Sequence, residues 1–221
     1  MSTTQKDFDR IALVSEDGAT HNDHYHNFLL RHLPSNCHDV LEIGCGTGAF
    51  ARRLAERSEH VLAIDLSPEM IRLARERSAQ FPNIEFQLAD VRELPFPIAS
   101  FDCIASIATL HHLPFPEILL KMKAALKPGG ALLVLDLFEP AGLTDSLVNL
   151  LALPVSATLR LINYGRLLPR REERDAWTAH ARQDIYPTMS QVHALCDRIL
   201  PGAKIKKHLL WRYSIVWRKT G

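Results

Sequence analysis

Apolar positions in this chain fall in short runs separated by amphipathic stretches. Residues 40–43, 60–65, 84–89, 101–107 and 131–137 are four to seven residues long and rich in Val, Ile, Leu and Phe, as expected of strands buried on both faces. Between them, 49–57, 68–79 and 116–126 carry apolar residues at helical spacing. Ser67-Pro68 supplies an N-cap followed by a first-turn proline. Residues 22–33 predict a further short helix stopped by Pro34. Strands alternating with helices predict a parallel sheet wound right-handed and covered on both faces. Residues 204–210 and 211–218 lie back to back with no room for a crossover helix, so they predict an antiparallel pair at the sheet edge. The stretch 141–187 is helical in pattern but broken by Pro154, Pro169 and Pro187. An insertion there is expected to cover the carboxyl ends of the strands.

At 221 residues, 47% of them hydrophobic, the chain predicts a single globular domain over 1–221, with a helical cap over about 1–35 and a helical lid over about 141–187. No apolar run approaches the roughly 18 residues a membrane span needs, and the polar start MSTTQKDFDR is unlike a signal peptide. Four scattered cysteines, Cys37, Cys45, Cys103 and Cys196, make neither a disulfide framework nor a zinc spacing. A cytoplasmic enzyme without a metal and without a membrane partner is the expectation. The formal charge of +1 divides unevenly: residues 1–142 hold 13 basic against 19 acidic side chains, and residues 143–221 hold 13 against 6. A basic final third suits an anionic ligand, a nucleic acid or simply a solvated face.

The chemistry concentrates in VLEIGCGTGAF, residues 40–50. A strand there runs through Gly44, Gly46 and Gly48 into a helix, so backbone can approach a ligand closely beside free helix N–H donors. Asp65 ends the next strand, placed to accept both hydroxyls of a ribose. An adenosine-containing cofactor follows. Gly44-x-Gly46-x-x-Ala49 also satisfies the relaxed dinucleotide fingerprint. The third glycine at Gly48 and the carboxylate of Glu42 favour another ligand, because Glu42 would repel a pyrophosphate but suits an ammonium and a sulfonium.

With EIGCGTG, AIDLSPEMI, LADVRELPF, FDCIASIATLHHL and LKPGGALLVLD in this order, the chain resembles the class I S-adenosylmethionine-dependent methyltransferases from about Tyr25 to Trp217. More narrowly, DHYHNFLLRHLP and the ending from Leu200 look like a bacterial small-molecule-type group. The resemblance implies a Rossmann-like, doubly wound α/β fold: a mostly parallel seven-stranded sheet with an antiparallel C-terminal strand. It implies S-adenosylmethionine as cofactor and S-adenosylhomocysteine as product. Gly44, Gly46 and Gly48 would line the methionine portion, with Glu42 near its ammonium and Tyr25 near its carboxylate. Asp65 would hold the ribose, Leu66 and Met70 the adenine face, Asp90 and Val91 its edge, and Ile107 belongs to the same cofactor set.

His111 and His112 follow the fourth strand and are the candidates for taking a proton from an acceptor. A base is needed only where the acceptor must lose one. Tyr164, Arg171, Trp177, His180 and Tyr186 of the insertion are candidates for shaping the acceptor pocket. A small-molecule acceptor is the leading expectation. Nucleic-acid or protein methylation is the alternative, disfavoured because no recognition domain or basic-aromatic platform is visible. A nicotinamide-dependent oxidoreductase and a non-catalytic binding protein rank below. Acceptor identity, the atom methylated and the oligomeric state are not legible in the sequence.

Overall fold

The computed structural model describes residues 3–14, 22–140, 170–181 and 184–220, with isolated positions 154, 158, 161, 165 and 168. Seven strands form one sheet: β1 Asp39–Ile43, β2 His60–Asp65, β3 Ile84–Leu88, β4 Phe101–Ile107, β5 Leu126–Leu137, β6 Lys204–His208 and β7 Arg212–Arg218. Their order is β3-β2-β1-β4-β5-β7-β6. The first five are parallel, and β7 runs antiparallel to both β5 and β6. The described helices are α1 Thr3–Val14, α2 His26–Leu30, α3 Ala49–Ala55, α4 Pro68–Arg77, α5 Phe115–Ala125, α6 Arg171–Ala181 and α7 Met189–Ile199. This is the Rossmann-like fold that the resemblance implied.

Strand alternation divides the core into two layers. Val40, Cys103, Ala105 and Leu133 face one layer with Phe50 and Leu54 of α3. Leu41, Ile43, Ile104 and Val134 face the other with Leu119 and Met122 of α5. Ser67 caps α4, its Oγ accepting from the Met70 N–H at 3.1 Å, a bond typically worth about 1 kcal/mol.

Three features differ from the pattern read along the chain. β5 starts at Leu126, before the apolar run, because Leu126 pairs with Phe101 ahead of a register shift. The last two strands form the expected antiparallel pair at the sheet edge, with β7 on the inside and β6 outermost. Tyr213 to Trp217 are accordingly buried, while Lys204, Lys206 and Lys207 are exposed. The helix expected over 22–33 is a 3-10 turn, Asp23–Tyr25, followed by the short α2. One helix, α7, goes beyond the expectation. α7 carries a capping box between Thr188 and Gln191. α1 buries Ile11 and Ala12 against Met70 of α4 and Ala176 of α6, so α1 and α6 cross above the carboxyl ends of the strands.

Candidate active site

A cavity with about 1260 Å³ of empty space, its open mouth included, lies at those carboxyl ends. Its floor is the turn after β1. Gly44, Gly46 and Gly48 all take positive φ, at 73°, 51° and 78°, where a side chain is strained. A Cβ at Gly44 would sit 2.0 Å from Thr109 Oγ1, whereas one at Gly46 would meet nothing within 4 Å. Gly44 therefore permits contact between the two turns, and Gly46 keeps the space above the loop open. Gly48 leads α3, and a Cβ there would crowd Phe86 and Ala74; it serves helix–strand packing and does not line the cavity.

Two carboxylates project from this floor. Asp65 accepts the Gly46 N–H on Oδ2 at 2.8 Å and the Ser67 N–H on Oδ1 at 2.9 Å, which fixes its plane and leaves each oxygen a further lone pair. Burial pushes its carboxyl up, opposed by those N–H groups. Glu42 is 2% exposed, and its Oε2 finds no hydrogen-bond partner among the described residues. Burial first, then the neighbouring Asp65, holds Glu42 well above the usual carboxylate range, against the pull of Arg52. An orphaned acidic oxygen inside a pocket wall calls for a cation or a donor. The residues present thus fit a ligand that carries an ammonium and a ribose.

Leu66, Met70, Val91 and Ile107 line the same cavity and give it an apolar wall. Asp90 also lines it, but both its oxygens accept from Arg92, at 2.5 and 2.9 Å. That pairing holds its carboxyl below the usual range. Asp90 is therefore already occupied where a free acceptor for an adenine amino group was expected. Tyr25 is not brought to the cavity. Its hydroxyl donates to the Leu209 carbonyl at 2.7 Å, and Asn22, Asp23 and His26 line the wall in its place.

After β4 the chain turns through Ala108, a non-glycine at φ 50°, a conformation costing about 1–2 kcal/mol. This turn brings Thr109 against Gly44 and sets His112 at the rim of the cavity. His111 stands behind it, its Nδ1 2.6 Å from Asp136 Oδ1. The two rings lie 3.8 Å apart between centroids. Of the insertion residues, Trp177 lines the cavity. His180 is buried beside His112 and Phe8, and Tyr186 donates to Asp184 Oδ2 at 2.9 Å. Arg171 is exposed and faces Asp175 at 3.8 Å, and Tyr164 lies outside the described residues. Asp136, Asp184 and Phe8 are site residues that the sequence reading did not single out.

A family model described as a methyltransferase domain matches residues 40–130. An uncharacterized methyltransferase of Mycobacterium tuberculosis is 30% identical over 201 residues, covering 89% of this chain and 95% of its own. Demethylmenaquinone methyltransferase of Tropheryma whipplei is 39% identical over 103 residues, 46% of this chain and 43% of its own. Among solved structures, the N-methyltransferase NodS of Bradyrhizobium japonicum, in complex with S-adenosylhomocysteine, aligns over 100% of both chains with a TM-score of 0.66 at 18% identity. Together with the glycine turn and its two carboxylates, these likenesses leave one assignment: the chain belongs to the class I S-adenosylmethionine-dependent methyltransferases.

Proposed function

We propose that this enzyme methylates a small molecule held between the β4 turn and the α1–α6 cover. The observation that carries the reading is the cavity itself. Thr4 and Phe8 of α1 and Trp177 of α6 form part of its wall, so the acceptor side is a roofed space suited to a small ligand and ill suited to a duplex or a folded protein. Demethylmenaquinone methyltransferase and an O-methyltransferase of ubiquinone biosynthesis are among its relatives over about half of this chain, and both names describe small acceptors.

S-adenosylmethionine supplies a methyl group already activated on a sulfonium. In this reading Glu42 faces the ammonium, Asp65 takes the ribose hydroxyls, and Leu66, Met70 and Val91 sandwich the adenine. Gly44 and Gly46 keep the backbone close, and Ile107 closes the slot. Phe8 of α1 and Trp177 of α6 exclude water from that side. The remaining task is alignment, which is able to contribute roughly 7 to 11 kcal/mol. Where the acceptor is a hydroxyl, His112 is the rim imidazole to which its proton passes, with His111 fixed by Asp136 behind it.

Calorimetry with S-adenosylmethionine, S-adenosylhomocysteine and NAD, followed by an acceptor screen that reads S-adenosylhomocysteine release, tests the proposal. Binding of the first two and turnover of small phenols, acids or amines is expected. Tight binding of NAD, or turnover confined to nucleic acid or protein, would overturn it.

A further inference from the structure

Three histidines and a carboxylate converge at one edge of the cavity. His112 Nδ1 lies 3.2 Å from Asp184 Oδ1; His180 Nε2 and His111 Nε2 lie 3.7 and 4.0 Å from Asp184 Oδ2. The donor atoms of His111, His112 and Asp184 all fall within 4.8 Å of one another. The four side chains come from three places in the chain: the turn after β4, α6 and the segment before α7. We propose that His111, His112 and Asp184, with His180 set against the carboxylate, form a binding site for a divalent transition ion of the zinc or iron(II) kind.

Two observations separate this cluster from a chance gathering of histidines. The first is spacing. Ligands on a tetrahedral ion with bonds of about 2.0–2.1 Å lie about 3.3 Å apart, so the donors of His111, His112 and Asp184 reach an ion by shifts of under about 1 Å each. The second is the surrounding shell. Imidazole ligands ordinarily donate their other ring nitrogen to a carboxylate. Here His111 Nδ1 meets Asp136 at 2.6 Å and His180 Nδ1 faces Asp7 at 3.7 Å. Asp136 also accepts the His111 N–H at 3.0 Å, and Tyr186 donates to Asp184, which fixes both first ligands from behind. A two-nitrogen, one-oxygen donor set from His111, His112 and Asp184, with His180 beside the carboxylate, suits zinc, cobalt or iron(II) better than magnesium or calcium.

The site borders the cavity through His112, and with three protein ligands a tetrahedral ion keeps its fourth position open toward the acceptor. An acceptor oxygen on the ion would need no free imidazole, and His112 would then act as a ligand. That role rests on methyl transfer at this pocket; the existence of the metal site does not.

The test uses the full chain stripped with chelator and titrated with Zn²⁺ by calorimetry and with Co²⁺ by visible absorption. S-adenosylhomocysteine affinity is measured on every sample as the check on fold and on the cofactor reading. One equivalent of metal is expected, with a ligand-field spectrum of low coordination number. Asp184→Asn should weaken it at least about 100-fold, and His180→Gln and Asp136→Asn, which act by orienting Asp184 and His111, about 10- to 100-fold each. Absence of binding by the wild-type chain that still binds S-adenosylhomocysteine overturns the proposal, leaving a hydrogen-bonded relay. Binding that survives Asp184→Asn and His180→Gln unweakened places the ion elsewhere and overturns it equally.

Discussion

Replacing Glu42 by Gln separates charge from shape at the floor of the cofactor cavity. In the free protein its carboxylate is buried with Oε2 unpartnered, and burial and Asp65 raise its pKa. A carboxyl raised in the folded state gives stability that is fully present below the ordinary pKa and lost as pH rises through the folded value. Free Glu42→Gln should therefore unfold at higher temperature than wild type at pH 8, and the gap should close near pH 4. Ligand acts in the opposite direction. A hydrogen bond to a charged group contributes about 1.5–3 kcal/mol; taking about 2 kcal/mol, the variant binds S-adenosylhomocysteine about 30-fold more weakly. At ligand 100 times the wild-type Kd, stabilisation is about 2.7 kcal/mol for wild type and about 0.9 kcal/mol for the variant. In a chain of this size those figures correspond to shifts in Tm of about 5–11 °C and about 2–4 °C. Thermal unfolding with and without ligand, at pH 6 and pH 8, reads both effects. Equal ligand-induced shifts in the two proteins would refute the pairing of Glu42 with the ammonium.

Other perturbations test the rest of the site. Asp65→Ala should weaken S-adenosylmethionine and its product alike by about 1.5–3 kcal/mol in calorimetry; unchanged affinity in the folded variant removes the ribose assignment. Gly44→Ala places a Cβ against Thr109 at positive φ, so chemical denaturation should show a loss of at least about 1–2 kcal/mol, and ligand binding should fall with it. His26 is 7% exposed, and burial lowers its imidazole to about 4 against the weaker pull of Asp23. The unfolded chain then binds the extra proton, so stability present above pH 6.5 is lost as pH falls toward 4, by up to about 3 kcal/mol. His26→Gln should flatten that slope in denaturant titrations between pH 7 and 4.5. His112→Ala should lower turnover of a hydroxyl acceptor about 10²-fold, read as S-adenosylhomocysteine release at saturating cofactor.

What the sequence made legible was local. Gly44, Gly46, Glu42 and Asp65 could be found because a strand, a turn and a helix follow one another within a few residues, and the spacing alone sets their geometry. His111 and His112 were legible for the same reason, one turn beyond β4. Asp136 had a signal that passed unread, a carboxylate inside the apolar run LLVLDLF. Tyr25 shows the opposite case. Its partner Leu209 is 184 residues away, and nothing in a one-turn helix says which neighbour will face the ligand. His180 and Asp184 are four residues apart, but His180 meets Asp7 only because α1 packs on α6, and Asp184 meets His112 only across the fold, contacts that no periodic pattern encodes. The absence of a metal-ligand spacing in the sequence is likewise a statement about neighbours in the chain, and it carries no weight for side chains gathered from two distant segments.

The place of β7 in the sheet bears on how the molecule assembles. Because β7 lies between β5 and β6, the sheet cannot be completed by adding strands outward in the order of synthesis. β5 must wait with one edge unpaired until residues 212–218 are available, and among the described residues β6 pairs only with β7. The late contacts are also distant ones, such as Leu132 with Trp217, and closing long loops slows folding. A chain shortened beyond residue 211 would lose an inner strand and present the apolar edge of β5, so it should aggregate during expression. The basic edge of β6, with Lys204, Lys206 and Lys207 exposed, is the guard against that fate in the finished molecule.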